Sequence, residues 1–414
     1  AVQIYVLKVI MLSAFPLNAA SICIGAATVL LATAAVRRCA PAVQIYVDPR
    51  VPRLHSLLQR LPRLRKGYAP PPLLPSGLAQ SALADCFEPA EADVRARFRR
   101  DTLDLASLPH AEAACCPRAV PAGRVSIDWL HVEPRAAPLC LLVPGLTGSS
   151  SSAYIQRIAL ALYRTGVRVA CFNPRGRGGN ELLSPFLYSA GFTADLRRVV
   201  EHIRRAFPEA PLTAAGFSLG SNYLAKYVGE EGERCVLKGA VAFACPLDCS
   251  AMSANLCSGS LLSRALDRYV LVPSVKKVLK EYMSTLSDAP GLDVAGASRA
   301  RTMKEFDGCV IAPMMGESSA QSYYAAASSV HVLPDVRVPL LVVSAENDMI
   351  APAGLVDKAV FLSSAPAPLL LAVTPEGGHS MVWPQGWRGK DSWACDVVVE
   401  WVRAVCDTQT DSTK

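Results

Sequence analysis

After about residue 124, short apolar runs alternate with amphipathic segments, and this pattern constrains the fold more than any other feature. One such segment, Thr193–Phe207, repeats apolar side chains at helical spacing and carries charged residues between them. Strands covered by helices on both faces are apolar throughout, so the pattern predicts an α/β domain with a mostly parallel sheet. The candidate strands are Arg124–His131, Leu139–Val143, Val167–Phe172, Leu212–Ala215, Gly239–Ala244, Leu340–Ser344 and Leu369–Val373.

The alternation stops between about residues 249 and 335, where the apolar spacing becomes helical. Ligands of open α/β sheets bind at the carboxyl ends of the strands, so an insertion between two strands can cover the site. We therefore expect an α/β domain over residues 124–406, a helical lid over about residues 249–335, and a short tail at 407–414.

The net charge of +7 comes from one stretch of the chain. Between Arg37 and Lys66 there are eight basic residues and one acid, Asp48, which gives 8 − 1 = +7 and leaves the remainder neutral. A basic band beside an apolar segment fits anionic lipid headgroups better than nucleic acid, and a solvated linker explains it equally well. No nucleic-acid partner is expected.

Residues 9–36 carry no charged side chain, which exceeds the roughly 20 residues that a helix needs to cross a bilayer. The apolar region of a signal peptide, the competing interpretation, is typically about 7–15 residues long. We expect a transmembrane helix at 9–36 followed by a basic, Pro-rich extension at 37–123, and hence a single-pass membrane protein. Arg37 and Arg38 follow the span, and their charge places the large domain on the cytoplasmic side.

The sequence Gly216-Phe217-Ser218-Leu219-Gly220 follows a predicted strand and precedes a helical segment. A serine at such a sharp turn is raised above the sheet, and the flanking glycines leave room for the backbone. The turn also directs the Leu219 amide and the helix N-terminus at the position where negative charge develops in acyl transfer. Ser218 is therefore the candidate nucleophile.

A serine hydroxyl needs a base, and the chain has six histidines. Five of them precede the last predicted strand. They lie in the amino-terminal region (His55 and His110), at the end of the first strand (His131), in a helix (His202) and in the insertion (His331). Only His379 follows the last strand, in a loop with two preceding glycines. We predict His379 as the base.

An acid should orient that histidine, and in this fold it lies between the nucleophile and the histidine along the chain. The loop after Leu340–Ser344 offers Asp348, our first candidate, and Glu346, which can equally be a solvated charge. The second oxyanion donor should follow Leu139–Val143, where the Leu146 amide is the candidate and an ordinary glycine-serine turn is the alternative.

These motifs resemble family 4 of the AB-hydrolase superfamily, which includes membrane-anchored abhydrolase-domain proteins and yeast medium-chain ethyl-ester synthases/esterases. The likeness extends over most of residues 70–405 and rests on several short motifs. They are Gly145-Leu-Thr-Gly-Ser-Ser, Phe172-Asn-Pro-Arg-Gly, Glu181-Leu-Leu-Ser-Pro, Tyr188-Ser-Ala-Gly, Gly216-Phe-Ser-Leu-Gly-Ser-Asn, Tyr227-Val-Gly-Glu-Glu-Gly, Ser322-Tyr-Tyr and Gly377-Gly-His379. Two motifs depart from the family: Pro144 replaces the usual histidine, and Asn347-Asp348-Met349 replaces Asp-Asp-Pro.

The resemblance implies an α/β-hydrolase fold and a carboxylesterase, monoacylglycerol lipase or phospholipase-like activity on short- to medium-chain acyl groups. Together with the residues, it predicts a serine hydrolase that uses Ser218, His379 and Asp348 and stabilises the oxyanion with Leu146 and Leu219. An acyl ester or lipid is the expected substrate, and neither a metal nor an organic cofactor is required. Acyl transfer from acyl-CoA to an alcohol and a noncatalytic binding role are the alternatives, and the oligomeric state is left open.

Overall fold

A computed structural model of the chain describes residues 42–71, 76–84, 97–107, 120–386 and 391–407. The strands of its main sheet are β1 (Gln44–Val47), β2 (Arg99–Leu105), β3 (Gly123–Leu130), β4 (Leu139–Val143), β5 (Arg168–Asn173), β6 (Leu212–Phe217), β7 (Gly239–Phe243), β8 (Leu340–Ala345) and β9 (Leu369–Thr374). A further pair, β10 (Pro384–Gln385) and β11 (Asp391–Ser392), is antiparallel.

The strand order in the main sheet is β1-β9-β8-β7-β6-β4-β5-β3-β2. Strands β4 to β9 run parallel to their neighbours in that group, whereas β1, β2 and β3 pair antiparallel at the two edges. The predicted mostly parallel sheet is therefore confirmed, and each of the seven predicted strands corresponds to one of β3 to β9.

Helices cover both faces of the sheet, as predicted. The described helices are α1 (Pro52–Gln59), α2 (Pro62–Lys66), α3 (Gly77–Ala84), α4 (Ala153–Arg164), α5 (Ala194–Ala206), α6 (Leu219–Glu231), α7 (Cys249–Ser258), α8 (Leu261–Leu266), α9 (Val272–Glu281), α10 (Met283–Ser287), α11 (Val294–Arg299), α12 (Met303–Cys309), α13 (Ile311–Met315), α14 (Ala320–Ala327), α15 (Lys358–Leu362) and α16 (Trp393–Asp407).

The central strands are apolar at consecutive positions because each face of the sheet packs on its own helices. In β4, Cys140 and Leu142 belong to the cluster formed with α4 and α16, whereas Leu139, Leu141 and Val143 belong to the cluster formed with α5 and α6. Successive side chains of a strand point to opposite faces, so an all-apolar strand can be buried only between two such layers.

The segment between β7 and β8 is helical and contains α7 to α14. It has a core of its own, in which Leu279, Phe306 and Ile311 pack with Phe186 and Phe192 from the loop after β5. The insertion is thereby fixed to the sheet domain by apolar contacts. Its role as a lid stays a prediction.

The predicted single-pass membrane location is contradicted: none of the helices in the described residues is long and apolar enough to cross a bilayer. The predicted span at 9–36 lies outside those residues. Part of the basic band is also paired or packed, since Arg50 contacts Asp48 at 2.7 Å and Arg63 contacts Asp396 at 3.0 Å.

Candidate active site

Ser218 lies at the turn between β6 and α6, with φ 53° and ψ −123°. This left-handed backbone is rare for a residue with a side chain, and it turns the hydroxyl away from the sheet. A Cβ at Gly216 would lie 2.6 Å from the Gly220 carbonyl oxygen, and one at Gly220 would lie 2.3 Å from the Pro144 carbonyl oxygen. The two flanking glycines therefore allow the strand, the turn and the helix to approach closely.

The side chains of Ser218, His379 and Asp348 form a continuous hydrogen-bonded line. Ser218 Oγ lies 2.8 Å from His379 Nε2, and His379 Nδ1 lies 2.8 Å from Asp348 Oδ2. The Asp348 side chain has no exposed surface, and its other oxygen accepts the amides of Ile350 and Ala351 at 2.8 and 2.9 Å. Three donors thus fix the carboxylate, and the carboxylate in turn orients the imidazole.

Glu346, the second candidate for the acid, points elsewhere. It is exposed, and its Oε1 atom lies 3.4 Å from Gln44 Nε2 at the edge strand β1. The structure therefore brings Asp348 and not Glu346 to the imidazole.

Asn347 joins the loops that carry Asp348 and His379, a contact that the sequence did not predict. Its Oδ1 atom accepts the Gly378 amide at 2.9 Å. A Cβ at Gly378 would lie 2.2 Å from the Gly77 carbonyl oxygen, so the start of α3 packs directly on the histidine loop. The departure from the family motif at residue 347 thus places an amide, and not a carboxylate, beside the acid.

Leu146 lies in a tight turn after β4, in which the Gly148 amide donates to the Gly145 carbonyl at 3.0 Å and Thr147 has φ 56°. The Gly145 amide donates to the Tyr154 hydroxyl oxygen at 2.8 Å. The next amide, that of Leu146, is therefore the candidate hydrogen-bond donor to the oxyanion. The Leu219 amide is the first of α6 and has no acceptor within the helix. Both leucines line the cavity that contains Ser218.

A buried polar network centred on Asp128, which no sequence motif predicts, supports this turn. The Asp128 carboxylate accepts hydrogen bonds from Ser150, from Asn173 at 3.0 Å and from Arg100 at 2.6 Å. Ser150 follows the turn that contains Leu146, and its amide donates to Asn173 Oδ1 at 2.8 Å. Strand β3 therefore helps to fix the position of the candidate oxyanion donor.

The segment Arg175-Gly176-Arg177-Gly178-Gly179 forms turns directly after β5. Arg177 Nε donates to the Thr147 carbonyl at 3.0 Å, whereas Arg175 forms a buried ion pair with Asp195 at 2.7 Å. Both arginines therefore bind groups of the protein itself, one of them in the turn beside Ser218.

Two neighbouring cavities meet at the leucines beside Ser218. The first is lined by Ser218 and His379 and by apolar side chains of the insertion such as Met252, Leu256 and Leu271. The second is lined by Leu187, Val275, Val278, Phe306 and Ile311, among others. Leu146, Leu219, Met303, Asp307 and Tyr323 border both. An ester bound at Ser218 would thus have an apolar space on either side of the two leucines.

A serine-histidine-aspartate line at a strand-to-helix turn, above a mostly parallel sheet, defines the α/β-hydrolase class. Residues 134–383 match the model of the Hydrolase_4 family, described as serine aminopeptidase, S33. The chain belongs to this family, and the predicted resemblance to the AB-hydrolase superfamily is confirmed.

Similar proteins of known name include embryogenesis-associated protein EMB8 of Picea glauca, with 29% identity over 72% of this chain and 67% of that protein. Phospholipase ABHD3 of Mus musculus is 30% identical over 64% of this chain and 65% of its own. Monoacylglycerol lipase of Saccharomyces cerevisiae is 32% identical over 59% of this chain and 54% of that protein. The chain thus spans about two thirds or less of these relatives. The names of the phospholipase and the monoacylglycerol lipase support the predicted class, a serine ester hydrolase of the lipase and esterase type.

Proposed function

We propose that this protein hydrolyses carboxylic esters of short- to medium-chain acyl groups, with Ser218 as nucleophile, His379 as base and Asp348 as the orienting acid. The single observation that carries the proposal is the hydrogen-bonded line from Ser218 through His379 to Asp348. An imidazole 2.8 Å from the hydroxyl is within reach of the proton that must leave as the serine attacks.

The reaction has two steps with the same groups. Ser218 Oγ attacks the ester carbonyl while His379 Nε2 takes the hydroxyl proton, and the collapse of the tetrahedral intermediate releases the alcohol, which takes that proton. His379 then removes a proton from water, which attacks the acyl-enzyme carbonyl. The collapse of this second tetrahedral intermediate releases the acid and Ser218 Oγ, which takes the proton back from His379. The amides of Leu146 and Leu219 stabilise the negative oxygen in both steps.

The helical insertion is proposed to act as the lid of this site. It supplies Met252, Leu256 and Leu271 to the wall of the cavity that contains Ser218, so that apolar acyl or alcohol groups exclude water from the reacting carbonyl. A panel of p-nitrophenyl esters of graded chain length measures how much of this wall the acyl group contacts.

The variant Ser218→Ala tests the proposal. We expect it to lose labelling by a fluorophosphonate probe and to lower the hydrolysis of p-nitrophenyl butyrate by about 10⁴-fold or more, because the acyl-enzyme cannot form. Ser258→Ala, an exposed serine at the end of α7, is the control and should keep both signals. Undiminished turnover by Ser218→Ala would refute the assignment of the nucleophile.

A further inference from the structure

Two carboxyl groups that the proposed reaction does not use line the cavity that contains Ser218 and His379. Asp267 is the first residue of a π-helical turn between α8 and α9, and Asp307 lies in α12. Both residues belong to the insertion and are buried, with 1% and 7% of their surfaces exposed. Carboxylates are rarely buried to this degree without a basic partner.

Each carboxyl has only one hydrogen-bond donor among the described residues. Asp267 Oδ1 accepts the Met303 amide at 3.0 Å, and Asp307 Oδ2 accepts the Tyr324 hydroxyl at 2.7 Å. The second oxygen of each group accepts none, and no ion pair of the described residues includes either aspartate. Lys304 borders the same cavity, but its exposed side chain pairs with neither. Two acceptors therefore remain for a ligand in the cavity.

The surroundings of the two carboxyls oppose their negative charge. Burial raises the pKa of Asp307 to about 7, assisted by the charge of Asp267, and burial raises the pKa of Asp267 to about 6. A positive charge in the cavity would reverse this, because an opposite charge favours ionised carboxylates. Tyr323 and Tyr324 line the same cavity with their ring centroids 5.4 Å apart, and aromatic faces also attract ammonium groups.

We infer that Asp267 and Asp307 bind a positively charged ammonium group on the alcohol part of the ester, and so select substrates with a cationic alcohol. The inference rests on the proposed ester hydrolysis, since it assigns one end of the same cavity to the alcohol. An uncharged ligand would leave the ionised carboxylates without compensation at pH 8, whereas an ammonium group neutralises one and shares its charge with the other.

The test compares two esters of nearly equal shape. In 3,3-dimethylbutyl butyrate a carbon atom replaces the quaternary nitrogen of butyrylcholine, so the pair differs in charge alone. At pH 8 we expect the protein to favour butyrylcholine by about tenfold or more in kcat/KM, mainly through KM. Asp267→Asn and Asp307→Asn should each remove most of this preference, because KM for butyrylcholine rises more than KM for the neutral ester.

Asp288→Asn is the matched control. Asp288 is an exposed acid of the insertion at the end of α10, it does not line the cavity, and its loss should leave the preference unchanged. Equal kcat/KM for the two esters in the unmodified protein, or a preference that survives in both aspartate variants, would overturn the inference. If the variants instead lose activity selectively on 1-monobutyrylglycerol, the pair recognises hydroxyl groups and the ammonium assignment is wrong.

Failure of this inference is distinguishable from failure of the proposed function. If hydrolysis of 3,3-dimethylbutyl butyrate depends on Ser218, the proposed esterase function stands even when the protein shows no preference for the charged ester. Calorimetry with the Ser218→Ala variant tests recognition without turnover. Butyrylcholine should bind that variant at least about tenfold more tightly than the neutral ester. Equal binding counts against the role of the two aspartates.

Discussion

At the scale of single residues, Asp128 shows how a buried charge can fix a loop near the site. Burial by itself would raise the pKa of this carboxyl, but hydrogen bonds from Arg100, Ser150 and Asn173, with the charge of Arg100, outweigh burial and lower it. A lowered pKa in the folded state means that the ionised carboxylate stabilises the protein above the ordinary carboxyl range. That stability is lost as the pH falls through the folded pKa.

We expect Asp128→Asn to lower the free energy of unfolding at pH 7 by about 1–3 kcal/mol, because Arg100 and Ser150 lose their charged acceptor. The difference from the unmodified protein should be smaller at pH 3 than at pH 7, because this stability is lost as the pH falls toward the lowered pKa. Urea titrations at both pH values measure it. Asp104→Asn is the control: Asp104 pairs with Arg124 but is 65% exposed, so its change should be small. A deficit that is the same at both pH values would contradict the electrostatic explanation.

The residues of the candidate site differ in how well the sequence alone predicts them. Ser218 follows from a local motif, and His379 follows from its position after the last strand, so both could be identified before their side chains were seen together. Asp348 and Glu346 share a loop, and only burial and direction separate them. Asn347 and Asp128 act through contacts between distant parts of the chain. Asn347 and Gly378 are 31 residues apart, and Asp128 and Asn173 are 45 residues apart. No local pattern encodes such contacts. The catalytic roles stay predictions.

At the scale of elements, helix α6 requires a small residue in its first turn. A Cβ at Gly220 would lie 2.3 Å from the Pro144 carbonyl oxygen and 2.5 Å from that of Val143. We expect Gly220→Ala to push α6 away from β4, to cost about 2–4 kcal/mol of stability, and to lower kcat by moving the Leu219 amide. Urea midpoints and p-nitrophenyl butyrate kinetics measure the two effects.

Gly354→Ala is the matched control, because a Cβ there would have no atom within 4 Å. Its stability should stay within about 0.5 kcal/mol of that of the unmodified protein. If Gly220→Ala kept both its urea midpoint and its kcat, the close approach of α6 to β4 would have no bearing on the site.

The elements themselves were predictable to different degrees. Buried parallel strands are apolar at most positions, and this strong signal marked β4 to β9. Antiparallel β3 instead alternates apolar residues with Arg124, Ser126 and Asp128. The edge strands gave no such signal: β2 is Arg-Arg-Asp-Thr-Leu-Asp-Leu and is largely exposed, and β1 has only four residues within a basic region. An edge strand forms through backbone pairing with its neighbour, which side-chain composition does not reveal.

At the scale of the whole molecule, residues near the two ends of the described chain share one core. Leu54, Leu57, Leu61 and Leu64 are buried with Trp393 and Trp401 of α16. The Tyr68 hydroxyl donates to the Pro384 carbonyl at 3.0 Å, and the Arg63 amide donates to Glu400 at 2.9 Å. The leucines recur every three or four residues, a helical stripe obscured in the sequence by the arginines between them. The division of the chain at residue 124 stays a prediction, and this core crosses it.

If residues 52–68 belong to the cooperative unit of the hydrolase, one substitution there should destabilise the entire protein. Leu61 has no exposed surface, so Leu61→Ala should lower the free energy of unfolding by about 2–4 kcal/mol through lost burial and the cavity left behind. Tryptophan fluorescence and hydrolysis of p-nitrophenyl butyrate should be lost together, at a lower urea concentration than in the unmodified protein. Arg53→Ala, an exposed position of α1, should leave the midpoint unchanged. A fluorescence transition that precedes the loss of activity would instead mean that this segment unfolds separately, because the site would then survive without it.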